Sequence, residues 1–107
     1  MQTLCHAQNL QTALAASPLV VVQFGSASCA PCAALKIKLD AFAAAHPEVS
    51  ALYVPVEDFP EVSAQNSVFT VPTLLLFAEG KEALRVSGYF GLEAFLGKVE
   101  RYIEMMT

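Results

Sequence analysis

The sequence predicts an α/β fold: a mixed central β-sheet of four to five strands flanked by helices on both faces. Three observations predict it. Short apolar runs at Leu19–Phe24, Ser50–Val56 and Leu74–Ala78 have the length and continuity of strands buried in a sheet. Segments of helical period, one running to Ala45 and one opening at Leu92, alternate with or follow them. Helices alternating with buried strands impose parallel pairing by crossover, whereas a turn at Gly80 returns the last strand antiparallel.

Taken in order, Leu4, Leu10 and Leu14 lie among Ala, Gln and Asn, and the 10/14 spacing suits an amphipathic helix over residues 4 to 16, capped by Thr3 or Asn9. Met1 to Leu4 is alternatively a short edge strand. Ser17-Pro18 stops the helix, and Leu19 to Phe24 follows as a β-branched strand. Gln23 interrupts that run; a buried amide needs a partner, so it faces either a polar pocket near the thiols or a solvated edge. From Cys29 onward, Leu35, Leu39 and Phe42 fall at i, i+4 and i+7 of a helix that His46-Pro47 ends, with His46 as its cap. Ser50 to Val56 is the next strand, and Pro55 places its end near an edge or a bulge. Glu57-Asp58 then opens a short helix through Gln65 with Asp58 as N-cap. Asn66 to Thr70 is a loop, and Val71-Pro72-Thr73 leads into Leu74 to Ala78. Glu79 to Glu82 is a turn, Ala83 to Ser87 is the hairpin partner, and Gly88 breaks it. A final helix over Leu92 to Met105 turns Leu92, Phe95, Leu96, Val99 and Ile103 inward.

Composition narrows the function. A chain of 107 residues, 55% of them hydrophobic, is long enough to bury a core and has the size of one domain, residues 1–107. Its apolar stretches fall well short of the roughly 20 residues that a membrane span needs, so no membrane is expected. Met1 to His6 lacks the basic start, apolar core and cleavage site of a secretory signal, which predicts a cytoplasmic location. In that compartment a CxxC is more often catalytic or metal-binding than a structural bridge. The net charge of −4, with six scattered Lys and Arg residues, offers a polyanion no footprint, which excludes nucleic acid as the partner.

The chemistry sits in Ser28-Cys29-Ala30-Pro31-Cys32, at a strand-to-helix corner. A helix beginning near Cys29 points its free N–H groups and the positive end of its dipole at the first sulfur, which favours the thiolate and makes Cys29 the nucleophile. Cys32 lies about one turn later, within reach for a small disulfide ring, and Pro31 stiffens the link where its missing N–H costs nothing. The same spacing serves as half a zinc site, but the chain has no second CxxC or matching His pair. Two thiols that merely pack as small hydrophobes are a further alternative, which leaves the strand before and the helix after unexplained. Cys5 and His6 read as an incidental pair, or as a regulatory thiol or extra ligand. Oxidised Cys5 would cross-link two chains of what is otherwise expected to be a monomer.

With these residues in place, the chain resembles the thioredoxin family over nearly its whole length. The resemblance rests on the apolar strand, Cys29-Ala30-Pro31-Cys32 at a helix start, Val71-Pro72-Thr73 before an apolar strand, then Gly80 and Gly88. It implies the thioredoxin fold, with Pro72 as a cis proline facing the cysteine pair and Val71 offering backbone groups to an extended substrate peptide. It also exposes departures. Gly25 and Ser28 stand where the family carries tryptophan, and the chain has no Trp at all, so the aromatic rim is missing. Ala30 replaces the usual Gly between the cysteines, Gln23 stands at the buried acid, and Tyr53 at the nearby lysine. A carboxylate can take a proton from Cys32 but a Gln can only hydrogen-bond, so the resolving step would rely on water or on Glu57.

The implied function is that of an atypical protein-disulfide reductase. Cys29 attacks a substrate disulfide and Cys32 displaces the reduced substrate, with no cofactor beyond the cysteine pair itself. Its partners would be disulfide-containing proteins and a thioredoxin-reductase-like electron donor, in a role of electron transport and redox homeostasis. The alternative is a thioredoxin-fold binding or adaptor module with weak or no redox cycling, which the missing Trp residues, Gln23 and Tyr53 favour.

Overall fold

Alternation along the central strands builds both faces of the sheet. The computed structural model describes residues 1–6, 9–88 and 90–106. Its elements are β1 (Gln2–Thr3), α1 (Asn9–Ala16), β2 (Leu19–Gly25), α2 (Ala30–Ala45), β3 (Val49–Pro55), α3 (Pro60–Gln65), β4 (Thr73–Ala78), β5 (Lys81–Ser87) and α4 (Leu92–Met106). The sheet order is β1-β3-β2-β4-β5. β1, β3 and β2 run parallel, and β4 and β5 are antiparallel additions, giving the mixed sheet expected.

Every residue of β2 is buried, as befits a strand covered on both faces. Val20, Val22 and Phe24 join Leu10 and Leu14 of α1 and Val62 of α3 on one face. Leu19 and Val21 turn to the other face, against Leu39 of α2 and Phe95, Val99 and Ile103 of α4. Period two then sends Gln23 and Gly25 to the α2 face, and their register partners Tyr53 and Pro55 on β3 stand beside them. This column under the first turn of α2 is the floor of the site. No helix among the described residues is long and apolar enough to cross a membrane.

The structure changes several local expectations. Asn9, not Thr3, begins α1, and Gln2–Thr3 is an edge strand on β3; residues 7 and 8 of the expected helix lie outside the described residues. Asp58 does not cap α3. The N–H groups of Asp58 and Phe59 both donate to the Pro55 carbonyl, so residues 56–58 form a turn, and Pro60 starts the helix where a proline is tolerated. Pro55 ends β3 beyond Tyr53, the last residue that β1 covers, so its missing N–H breaks no ladder there. The hairpin turn is shorter than expected, two residues rather than four: Glu79 and Gly80 both have positive φ, 52° and 79°, and Ala78 pairs with Lys81 across it. That is the mirror-image turn whose twist matches a hairpin. A bulge between Leu76 and Phe77 absorbs Ala83.

Candidate active site

β2 ends at Gly25, and Ser26 to Ser28 carry the chain over the top of the sheet into α2. The Cys29 N–H donates to Ser26 O at 3.2 Å and the Cys32 N–H to Cys29 O at 3.1 Å, so the corner closes directly into the first helical turn. Cys29 occupies the N-cap position in an extended conformation, and Ala30 and Pro31 form the exposed first turn. The two cysteines are joined as a disulfide with Cα atoms 5.3 Å apart. They are unequal: Cys29 is half-buried, whereas Cys32 is only 1% exposed.

The floor under Cys32 is polar. Gln23 is fully buried and its Nε2 donates to the Cys32 carbonyl at 2.8 Å, so of the two settings open to it the polar pocket is the one it occupies. Its Oε1 has no hydrogen-bond partner among the described residues. Beside it, Tyr53 lies over Gly25, and the Lys36 ammonium sits 4.6 Å from the centre of the Tyr53 ring. Burial, and then the Glu57 carboxylate, raise the Tyr53 phenol above its ordinary range, so it stays protonated at neutral pH. Glu57 itself is exposed at the turn after β3. Its Oε2 accepts the Ala27 N–H at 2.9 Å, and that bond, with its own backbone N–H, lowers its pKa.

Just before β4, the Val71–Pro72 peptide bond is cis and Pro72 is buried. β4 starts only at Thr73, leaving Val71 outside the ladder, and the Pro72 carbonyl accepts the Gly88 N–H at 3.1 Å. Pro31, Leu35, Val71, Pro72, Phe90 and Leu92 line an open groove of about 840 Å³ beside the pair. Exposed Phe69 lies just before Val71. The loop carrying both is held by a residue that sequence reading passed over: Arg85 of β5 donates from Nη1 to Ser67 O at 3.1 Å and from Nη2 to Asn66 O at 2.6 Å, while Glu82 grips its guanidinium. An arginine in a strand at an alternating position carries no mark of such a role. The free Cys5 is exposed and its Sγ donates to Thr3 O, in the chain's first residues.

A redox-active cysteine pair at a strand-to-helix corner of a mixed sheet, one cysteine partly exposed and one enclosed, defines a thiol-disulfide oxidoreductase. Comparison with known proteins says which kind. The thioredoxin family model matches residues 2–101. The thioredoxin of Chlamydia trachomatis is 36% identical over 87 residues, covering 81% of this chain and 85% of that one. Thioredoxin-1 of Saccharomyces cerevisiae is 34% identical over 82 residues, covering 77% and 80%. Among solved structures, Fasciola hepatica thioredoxin superposes with a TM-score of 0.86 at 31% identity, over 94% of this chain and 98% of that one. The chain belongs to the thioredoxin family, and its redox centre is the Cys29–Cys32 disulfide itself.

Proposed function

We propose that the protein reduces disulfides of other proteins with Cys29 as the attacking sulfur and Cys32 as the resolving one. The observation that carries this assignment is the inequality of the pair. Cys29 is half-buried at the N-cap of α2, where a thiolate is favoured and an incoming disulfide can reach it, and Cys32 is enclosed, where only Cys29 can be its target. In the reduced protein the Cys29 thiolate attacks a substrate disulfide and expels one substrate sulfur as a thiolate, which takes up a proton. Cys32 then loses its proton and attacks Cys29 Sγ, forming the Cys29–Cys32 disulfide and releasing the second substrate sulfur as thiol.

The groove supports an extended substrate segment, with Val71 backbone groups to pair with it and with Pro31, between the two cysteines, and Pro72 both on its lining. Ala30 and Pro31 limit the freedom of the two-residue link, and Gln23, Tyr53 and Glu57 modulate the chemistry from below. Electrons return from a reductase, which fits a monomer working in the cytoplasm as part of thiol homeostasis.

An insulin-type reduction assay tests the reading: Cys29→Ser is expected to abolish turnover, and Cys32→Ser to accumulate a mixed disulfide with substrate. Equal turnover in wild type and Cys29→Ser would leave the binding-module alternative in its place. That alternative draws support from the corner itself, where Gly25 and exposed Ser28 present no aromatic surface.

A further inference from the structure

We propose that the Tyr53 hydroxyl is the hydrogen-bond donor that stabilises the Cys32 thiolate in the reduced protein, so that resolution relies on a neutral phenol in place of a carboxylate base. The inference rests on Cys32 being the resolving sulfur and deepens that reading. Gly25 supplies the geometry. A methyl group built on Gly25 would lie 2.8 Å from Tyr53 Oη, 2.9 Å from Tyr53 Cε1 and 3.1 Å from Cys32 Cβ. The hydroxyl and the Cys32 side chain therefore border one small niche, which exists because residue 25 has no side chain. Strand register sets the same arrangement independently, since Tyr53 is the direct partner of Gln23 on the face that α2 covers.

The neighbours offer the sulfur less than the phenol does. One N–H of the Gln23 amide is held by the Cys32 carbonyl, and its Oε1 is an acceptor, which repels an anionic sulfur and takes no proton from a thiol at neutral pH. Glu57 is exposed and occupied by the Ala27 N–H. The charged groups facing Tyr53 are Glu57 from the turn after β3 and Lys36 from α2. Burial and then Glu57 raise its pKa, so the phenol stays protonated and donates, while the Lys36 ammonium lies over its ring. In the step itself the Cys32 S–H proton passes to solvent water, the Tyr53 O–H bonds to the sulfur left behind, and the Cys32 lone pair forms the bond to Cys29 Sγ. The Cys29–substrate S–S bond breaks, and the departing substrate sulfur takes up a proton. Tyr53 is neither consumed nor ionised.

The test uses the full chain with Cys5→Ser and Cys29→Ser, in which Cys32 is the sole thiol and its thiolate absorbance is titrated. Adding Tyr53→Phe keeps the ring and removes only the hydroxyl. It is expected to raise the Cys32 pKa by half a unit or more, which is about threefold less thiolate at a pH below both values. With Cys29 restored, resolution of a preformed mixed disulfide at neutral pH should slow about threefold, with the deficit closing at alkaline pH. Gly25→Ala, whose methyl displaces the hydroxyl while leaving Tyr53 in the chain, should shift the Cys32 titration in the same direction. An unchanged or lowered Cys32 pKa in Tyr53→Phe overturns the proposal. The titration needs no turnover, so a protein that failed to reduce insulin would refute the proposed function while leaving this result to stand or fall alone.

Discussion

Gln23 Nε2 and the carbonyl oxygen of Cys32 are joined by a 2.8 Å hydrogen bond that ties the centre of β2 to the first turn of α2. Only a neutral or cationic donor can make this bond, which gives Gln23 a structural reason to differ from an acid. Gln23→Glu should fold with its carboxyl protonated, because the O–H can donate to Cys32 O while the anion can only repel it, and burial adds to the preference. Its folded pKa is therefore raised above the unfolded value of about 4.3. For an acid with a raised folded pKa, stability is greatest below the unfolded pKa and falls as pH rises towards the folded one. Denaturant unfolding at pH 5 and pH 8 should show the variant losing more than about 1.4 kcal/mol relative to wild type over that interval, which corresponds to one pKa unit. A flat difference between the two would count against the geometry.

The bond from the Ala27 N–H to Glu57 gives a pH effect of opposite sign. The bond lowers the Glu57 pKa below its ordinary 4.5, so the stability it contributes is present above the unfolded pKa and is lost as pH falls through the folded one. The Ala27 amide chemical shift should titrate with a midpoint below 4.5. In Glu57→Gln the neutral amide oxygen still accepts the bond, so that titration should vanish while the amide stays protected from exchange. In Glu57→Ala protection should go as well.

Much of this was legible in the residues. The strand runs, the helical periods and Cys29-Ala30-Pro31-Cys32 by themselves place both cysteines at a corner, because period and spacing are local properties of the chain. Where reading failed, long-range contacts decided. Asp58 looks like an N-cap, but the Pro55 carbonyl captures the following N–H groups and moves the helix start to Pro60. The proximity of Tyr53 to Cys32 depends on parallel register between β2 and β3 and on the missing Cβ of Gly25, two facts that lie about 28 positions apart in sequence and meet only in the sheet. Arg85 was invisible for the same reason, since its partners Asn66 and Ser67 come from a different loop.

The hairpin turn offers a stabilising substitution. Glu79 has φ of 52°, in the left-handed region where a Cβ is crowded, and the two-residue turn it forms with Gly80 prefers Asn there. The Glu79 N–H donates to Pro18 O at 2.8 Å, and this backbone contact survives any side-chain change. Glu79→Asn should raise stability by about 0.5–1 kcal/mol, seen as a melting temperature a few degrees higher. A lower melting temperature would show that the exposed Glu79 side chain makes a contribution the turn geometry does not explain.

Arg85 should govern substrate affinity through the loop it holds. Its guanidinium bonds two loop carbonyls, at Asn66 and Ser67, and Ser67 is kept at φ of 56°, a strained position for a residue with a Cβ. That loop runs into Val71-Pro72, one wall of the groove. Removing the fork in Arg85→Ala frees the loop without touching either cysteine. The expected result is a KM for a protein disulfide raised about fivefold, equivalent to roughly 1 kcal/mol for partly exposed bonds to a charged donor. The rate with a small disulfide that does not use the groove should stay unchanged. Arg85→Lys should behave like the Ala variant, because an ammonium can pair with Glu82 but lacks the planar fork that spans two carbonyls. Ser67→Gly in the Arg85→Ala background should recover stability but not affinity, since it relieves the backbone while leaving the loop untethered. Equal KM values in wild type and Arg85→Ala would mean that the groove wall is set by the Pro72 carbonyl's bond from Gly88 and by β4 alone.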